Sequence, residues 1–319
     1  MQPKLGSGPV SKKRATSTSQ FGVSKRESHD ASAFYERFPS PVISAAEDVA
    51  LCPDDLKDQL FVGDSRNMSM IPDNSISLMV TSPPYFAGKE YEAVLGEGHV
   101  PDSYVSYLTM LRDVFAETYR VLEPGGRIAI NVANLGRKPY RSLAADVTRI
   151  LQDDLGFLLR GEIVWIKADG ANGNCAWGSF AKATNPSLRD VTERVIVASK
   201  GRFDRAIDWR TRQQQGKAWE STISKEDFMA WTLDTWRIPP ESAKRAGHPA
   251  PFPVELPRRL IELYTFKSDN PVLDVFCGSG STAMAAMATG RSYIGFDLDP
   301  AYIENAEKRV DKLRQSMDQ

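Results

Sequence analysis

A chain of 319 residues with 41% hydrophobic and 25% charged residues has the balance of an ordinary folded protein, which excludes disorder throughout. No apolar run approaches the roughly 20 residues needed to cross a bilayer, and the first residues, MQPKLGSGPVSKKRATS, are basic with no apolar stretch behind them. Three distant cysteines, Cys52, Cys175 and Cys277, offer neither a disulfide framework nor zinc-ligand spacing, so a reducing, cytoplasmic setting without a metal site is expected. The formal net charge of −1 argues at first against a polyanionic partner, since domains that bind one usually carry a basic excess.

In chain order, residues 1–46 come first, rich in Ser, Lys, Arg, Gly and Pro, with seven basic residues against three acidic ones. Such a segment cannot bury a core and reads as a basic arm, in which Ser32–Phe38 is an aromatic piece able to dock. Short apolar runs then alternate with helical patterns. Strands are predicted at Leu60–Val62, Ile76–Val80, Arg127–Val132, Glu162–Lys167, Arg194–Ala198, Val272–Phe276 and Tyr293–Phe296. Helices are predicted at Asp102–Leu122, stopped by Glu-Pro-Gly-Gly, and at Ser142–Leu155, Val254–Thr265, Ser281–Thr289 and Pro300–Ser316. Strands alternating with helices imply a mainly parallel sheet covered on both faces. Residues 201–248 break this rhythm with four of the six tryptophans (Trp209, Trp219, Trp231, Trp236) and an Arg-dense opening, and read as an insertion whose tryptophans make a small core.

Asp274-Val275-Phe276-Cys277-Gly278-Ser279-Gly280-Ser281-Thr282-Ala283 follows a strand and opens an Ala/Met-rich helix. Gly278 and Gly280 let the backbone turn tightly and approach a ligand with no Cβ in the way. Asp297 stands at the end of the next strand, where a carboxylate can accept both ribose hydroxyls of an adenosine. The loop suits a dinucleotide or an adenosyl cofactor equally. A dinucleotide fold needs further strands after Asp297, however, and only one helix follows it.

A second ligand-facing turn is Thr81-Ser82-Pro83-Pro84-Tyr85, again at a strand end. Two prolines fix φ and remove two backbone donors, leaving carbonyls without ladder partners. Ser82 Oγ and the Pro83 carbonyl can accept both hydrogens of an amino group, while the Tyr85 ring offers a face for a planar heterocycle.

Together these residues resemble the amino-group DNA methyltransferases that use S-adenosyl-L-methionine, in the class whose catalytic motif precedes the cofactor motif. The likeness spans roughly residues 58–310. Thr81–Tyr85 resembles the catalytic motif in the Ser form typical of cytosine-N4 enzymes; adenine-N6 enzymes more often carry Asp or Asn at the position of Ser82. Asp274–Gly280 with Phe276, Ser281 and Thr282 resembles the cofactor motif, Asp297 its ribose-binding acid, and Phe61-Val62-Gly63-Asp64-Ser65 the strand whose acid meets the adenine amino group. The segment from His248 through Pro249, Phe252 and Leu256 to Ile261 is similar to the one that packs on the methionine part of the cofactor, and Glu162–Lys200 resembles the sixth and seventh strands with their connecting loop. The implied fold is α/β: a circularly permuted seven-stranded Rossmann-like sheet with helices on both faces and a small target-recognition insertion.

The expected organisation is an arm over 1–46, a catalytic half over 47–200, an insertion over 201–248 and a cofactor half over 249–319. The implied reaction is direct methyl transfer to an exocyclic amine of a flipped base in double-stranded DNA, with Tyr85 stacking on that base. Cytosine-C5 chemistry is not expected, because no cysteine follows a proline. Arg202, Arg205, Arg210, Arg212 and Lys217 are the candidate DNA contacts in the insertion. Both the arm and the insertion carry a basic excess, so near-neutrality averages a basic contact surface with an acidic body. The readings left open are an adenine-N6 enzyme, an RNA or protein-amide methyltransferase, a homodimer, and a cognate restriction endonuclease as partner.

Overall fold

The computed structural model describes residues 41–84, 86, 101, 103–134, 139–168, 178–241 and 252–317. Residues 1–40, Tyr85, Cys175 and Pro249 lie outside the described residues.

From Val42 onward the chain is organised around one eight-stranded sheet in the order β1-β8-β7-β2-β3-β5-β4-β6. The strands are β1 (Gln59–Val62), β2 (Ile76–Thr81), β3 (Leu122–Val132), β4 (Leu158–Ile166), β5 (Thr192–Ser199), β6 (Thr235–Arg237), β7 (Val272–Asp274) and β8 (Tyr293–Asp297). All seven predicted strands form. The eighth, β6, comes from the insertion and pairs parallel with β4, so that segment is partly built into the sheet. Every pairing is parallel except those of β5, which runs antiparallel to both β3 and β4.

Alternation along the strands divides the core in two. Met79, Ile128, Ile130, Ile196, Leu273 and Ile294 face one side, against α1 (Tyr104–Val121) and α2 (Leu143–Arg149). Leu78, Val80, Ala129, Val195, Val197 and Val272 face the other, against α5 (Glu255–Tyr264) and α6 (Ser281–Ala288), with Val310 of α7 (Pro300–Met317). Two short helices, α3 (Trp209–Gln214) and α4 (Lys225–Trp231), lie in the insertion. Trp231 and Trp236 are buried in the second core, and the Trp236 indole donates to the Trp231 carbonyl at 3.0 Å.

Helix α1 starts where the Ser103 side chain accepts from the Ser106 amide at 3.1 Å and ends ahead of Pro124-Gly125-Gly126. Gly125 has φ +77°, and a Cβ there would sit 1.9 Å from the Asp204 carbonyl oxygen, so the backbone approach at this bend requires glycine.

Candidate active site

The parallel strands β1, β8, β7 and β2 end side by side, so Asp64, Asp297, the loop after Asp274 and the turn at Ser82 gather along one edge of the sheet. Open α/β sheets bind ligands at this carboxyl edge.

The glycine loop is held from several sides. Its entry is fixed by the Asp274 carboxylate, which accepts the Thr81 hydroxyl at 2.6 Å, the Thr282 hydroxyl at 2.6 Å and the Phe276 amide at 3.2 Å. Asp274 is only 2% exposed, and burial pushes its carboxyl up to about 6. Both oxygens are turned inward onto protein donors, so the carboxylate that the sequence offers to the cofactor serves here to hold the loop and the end of β2. The Gly278 amide donates to Asp297 Oδ2 at 2.9 Å and the Asp299 amide to Oδ1 at 3.0 Å, which aims that carboxylate along the loop. Gly280, with φ +76°, is the residue preceding α6; a Cβ would stand 2.9 Å from the Ala306 Cβ of α7. The Ser281 hydroxyl donates to the buried Phe252 carbonyl at 2.9 Å, joining the loop to the segment that precedes α5. Phe276 is half-buried at the rim of the first core.

Asp64 sits at the neighbouring strand end. Arg66 grips it with both Nε and Nη2, the latter at 2.6 Å, and holds its carboxyl below the usual carboxylate range. The adjacent Ser65 hydroxyl donates to the Val275 carbonyl at 2.7 Å, tying the end of β1 to the glycine loop.

The proline turn leaves β2 through buried Thr81 and Pro83, with Ser82 and Pro84 partly exposed. Its far side is held by Tyr107 of α1, fully buried, whose hydroxyl donates to the Pro84 carbonyl at 2.9 Å. The Phe86 ring packs on Tyr107 and Tyr104 at 5.6 and 5.8 Å between centroids. Sequence reasoning missed Tyr107, because at helical spacing it is indistinguishable from a core aromatic. Arg309, which donates to the Ser279 carbonyl, was missed for a similar reason. Replacing Tyr107 with Phe is expected to lower turnover about 5- to 10-fold, the scale of one hydrogen bond, while leaving cofactor affinity unchanged. Calorimetric cofactor titration beside steady-state turnover would check this.

Residues 76–308 match the N6/N4 DNA methylase family. The chain belongs to that family. The methylase is 30% identical to the type II methyltransferase M.BglI of Bacillus subtilis over 80% of this chain and 86% of the relative. It is 27% identical to the type II methyltransferase M.ScaI of Streptomyces caespitosus over 81% and 83%. Among solved structures it resembles TTHA0409 of Thermus thermophilus in complex with S-adenosyl-L-methionine, with a TM-score of 0.61, 30% identity and coverage of 80% and 93%. The fold is shared with the PvuII DNA methyltransferase at a TM-score of 0.59 and 21% identity, covering 81% and 90%. The methylase is therefore a DNA methyltransferase that uses S-adenosyl-L-methionine.

Two thiols of the methylase bear on its chemistry. Cys277 is buried beside the glycine loop and Cys52 is buried elsewhere; burial pushes both up, Cys52 to about 11. Neither is a ready thiolate.

The arginines of the insertion are not where the sequence reading places them. Because β5 runs antiparallel, the chain leaves it at the amino edge of the sheet, level with Leu78 and, at about 3.3 Å per residue, about 13 Å short of Ser82 along the strands. Arg205 is ion-paired with Glu123 and with Asp269 at 3.1 Å, and Arg212 with Asp269 at 2.6 Å; the side chains of Glu123, Asp269 and Arg212 are buried and that of Arg205 is mostly so. Arg202 pairs with Asp204 at 3.2 Å and donates to the Ala46 carbonyl. Arg210 lies exposed over the Trp209 ring, which itself packs on Trp219, and Lys217 follows Arg212 along the same edge. Arg205 and Arg212 clamp the insertion to the body, and Arg202 is held by Asp204 and the Ala46 carbonyl, whereas Arg210 stays exposed on its own helix. What does reach the carboxyl edge is the loop between β4 and β5, with exposed Phe180 and Lys182, and the end of β6 at Arg237.

Among the described residues no helix is long and apolar enough to cross a membrane, and no group of acids, histidines and cysteines is arranged to hold a metal.

Proposed function

We propose that the methylase transfers a methyl group to the N4 amino group of cytosine in double-stranded DNA, with the target base flipped out of the helix. The observation that carries this reading is the Ser82-Pro83 turn at the carboxyl edge, tethered through Thr81 to the same aspartate that fixes the glycine loop. It supports the cytosine reading because Ser82 supplies a neutral hydroxyl where adenine-N6 enzymes more often have Asp or Asn.

The donor set fits S-adenosyl-L-methionine. Asp297 and Asp64, at adjacent strand ends, are acids suited to ribose hydroxyls and to an adenine amine, with Phe276 after the neighbouring β7 offered to the adenine face. Gly278, Gly280, Ser281 and Thr282 shape the loop beneath them. Phe252 closes the methionine side, the role that the family resemblance also gives to Pro249. When bound, the cofactor supplies an electrophilic methyl group. Ser82 Oγ and the Pro83 carbonyl accept the two amine hydrogens, favour a pyramidal nitrogen and turn its lone pair toward that methyl. Tyr85 stacks on the flipped base. Positioning provides the rate, and no protein nucleophile is required.

DNA approaches the carboxyl edge, so Lys182 and Arg237 take the contact role first given to the five basic residues at 202–217. Phe180, 70% exposed, is the aromatic that would enter the stack. The names of the relatives support a role as the modification member of a type II restriction system, beside an endonuclease with the same recognition site. Incubating the purified protein and cofactor with unmethylated plasmid, then analysing nucleosides by mass spectrometry, tests the reading. N4-methylcytosine is the expected product; N6-methyladenine would reassign the base, and no methylated base would overturn the function.

A further inference from the structure

We propose that Asp274 is a positioning residue that couples the cofactor loop to the catalytic turn, so that occupation of one site orders the other. The inference rests on the reading of Ser82 as the amine-binding group and adds a mechanism for its alignment.

Two segments far apart in sequence, the end of β2 and the glycine loop with the start of α6, meet at this one carboxylate. Thr81 is the last residue of β2 and immediately precedes Ser82; Phe276 lies in the glycine loop; Thr282 lies in the first turn of α6. Each threonine hydroxyl has a single proton, and both are given to Asp274 at 2.6 Å. Hydrogen bonds from hydroxyls to a carboxylate are short and roughly twice as strong as neutral ones, and burial keeps water from competing. The side chains of Thr81, Thr282 and Asp274 are all essentially inaccessible. A shift of the loop toward a bound cofactor carries the Asp274 oxygens with it, and Thr81 must follow or lose its partner. Because Thr81 is joined to Ser82 by one peptide bond and Ser82 is followed by two φ-locked prolines, the displacement passes to the amine-binding atoms instead of dissipating in a flexible loop. Tyr107, gripping the Pro84 carbonyl, holds the other side of the turn still.

The coupling is readable without DNA. In hydrogen exchange followed by mass spectrometry on the full chain, S-adenosyl-L-homocysteine should slow exchange of the segment 76–82 at least about 5-fold, the lower end of typical coupling between sites. Thr81→Val, which keeps shape and removes the hydroxyl, should bind the same ligand yet lose that protection, and Thr81→Ser should restore it. If Thr81→Val does not fold, Thr81→Ala removes the same hydroxyl and gives the same readout. Equal protection in the wild type and the valine variant, or none in the wild type, overturns the proposal. Failure to methylate any DNA would instead overturn the functional reading and leave this exchange result standing.

Discussion

Replacing Ser82 with Ala is expected to reduce methyl transfer about 100- to 1,000-fold while leaving the fold and cofactor affinity intact. Removing one preorganised partner aimed at the reacting group costs about 2.7–4 kcal/mol in the transition state. Here the lost acceptor is one of only two that address the amine hydrogens in the proposed geometry, and the Pro83 carbonyl cannot take both. The loss should fall on kcat rather than on KM for DNA, because the hydroxyl strengthens its contact as the nitrogen becomes pyramidal. Single-turnover methylation of plasmid DNA with saturating tritiated cofactor gives the measurement. A Ser82→Ala variant with wild-type turnover would remove Ser82 from the mechanism.

The second large effect concerns stability. Asp269 is 1% exposed in its side chain and neutralises both Arg205 and Arg212 while accepting the Phe266 amide at 2.8 Å. Truncating it to Ala leaves two buried guanidiniums short of a partner, a change that costs about 3–5 kcal/mol. For a chain of this size that corresponds to a fall in Tm on the order of 10 °C. Glu123 remains for Arg205, whereas Arg212 keeps no carboxylate among the described residues, only the Ala218 carbonyl, Ser268 and the Phe266 ring. Calorimetry on Asp269→Ala should show the full loss, and pairing Asp269→Leu with Arg212→Met should recover a large part of it, since a well-packed apolar pair can replace a buried ion pair. A Tm within about 2 °C of wild type for the alanine variant, on the same scale, would mean that the network carries little of the stability.

How far the fold can be read from the sequence depends on the element. Seven strands are legible because segments such as Ile76–Val80, Arg127–Val132 and Arg194–Ala198 alternate or run apolar between turn signals, and the helix of residues 104–121 ends where Pro124 and Gly125 force it to. Strand β6 is illegible: Thr235-Trp236-Arg237 is a short piece with no apolar run around it, unlike Val272-Leu273 of the equally short β7. The glycine loop and the proline turn stand out because their residue types are demanded by backbone geometry, as φ at Gly278 and Gly280 shows. Their supports do not stand out, since Tyr107 and Arg309 sit in helices and gain their roles only when distant segments meet. The placement of the Arg-dense segment fails for a topological reason. Residues 168–191 between β4 and β5 hold no helical pattern, and strands joined without a crossover helix must run antiparallel. Following that rule would have sent Arg202–Lys217 to the amino edge.

The reversal of β5 also separates two kinds of sequence change. On the proposed DNA approach, substitutions in the loop at 178–190 and at Arg237 are expected to alter selectivity, whereas the ion pairs around Asp269 lie at the opposite end of the strands. Sites separated by more than about 10 Å without shared partners contribute additively. Selectivity can therefore be varied in one region while stability is held in the other, and a library confined to residues 178–190 samples new recognition without eroding the clamp.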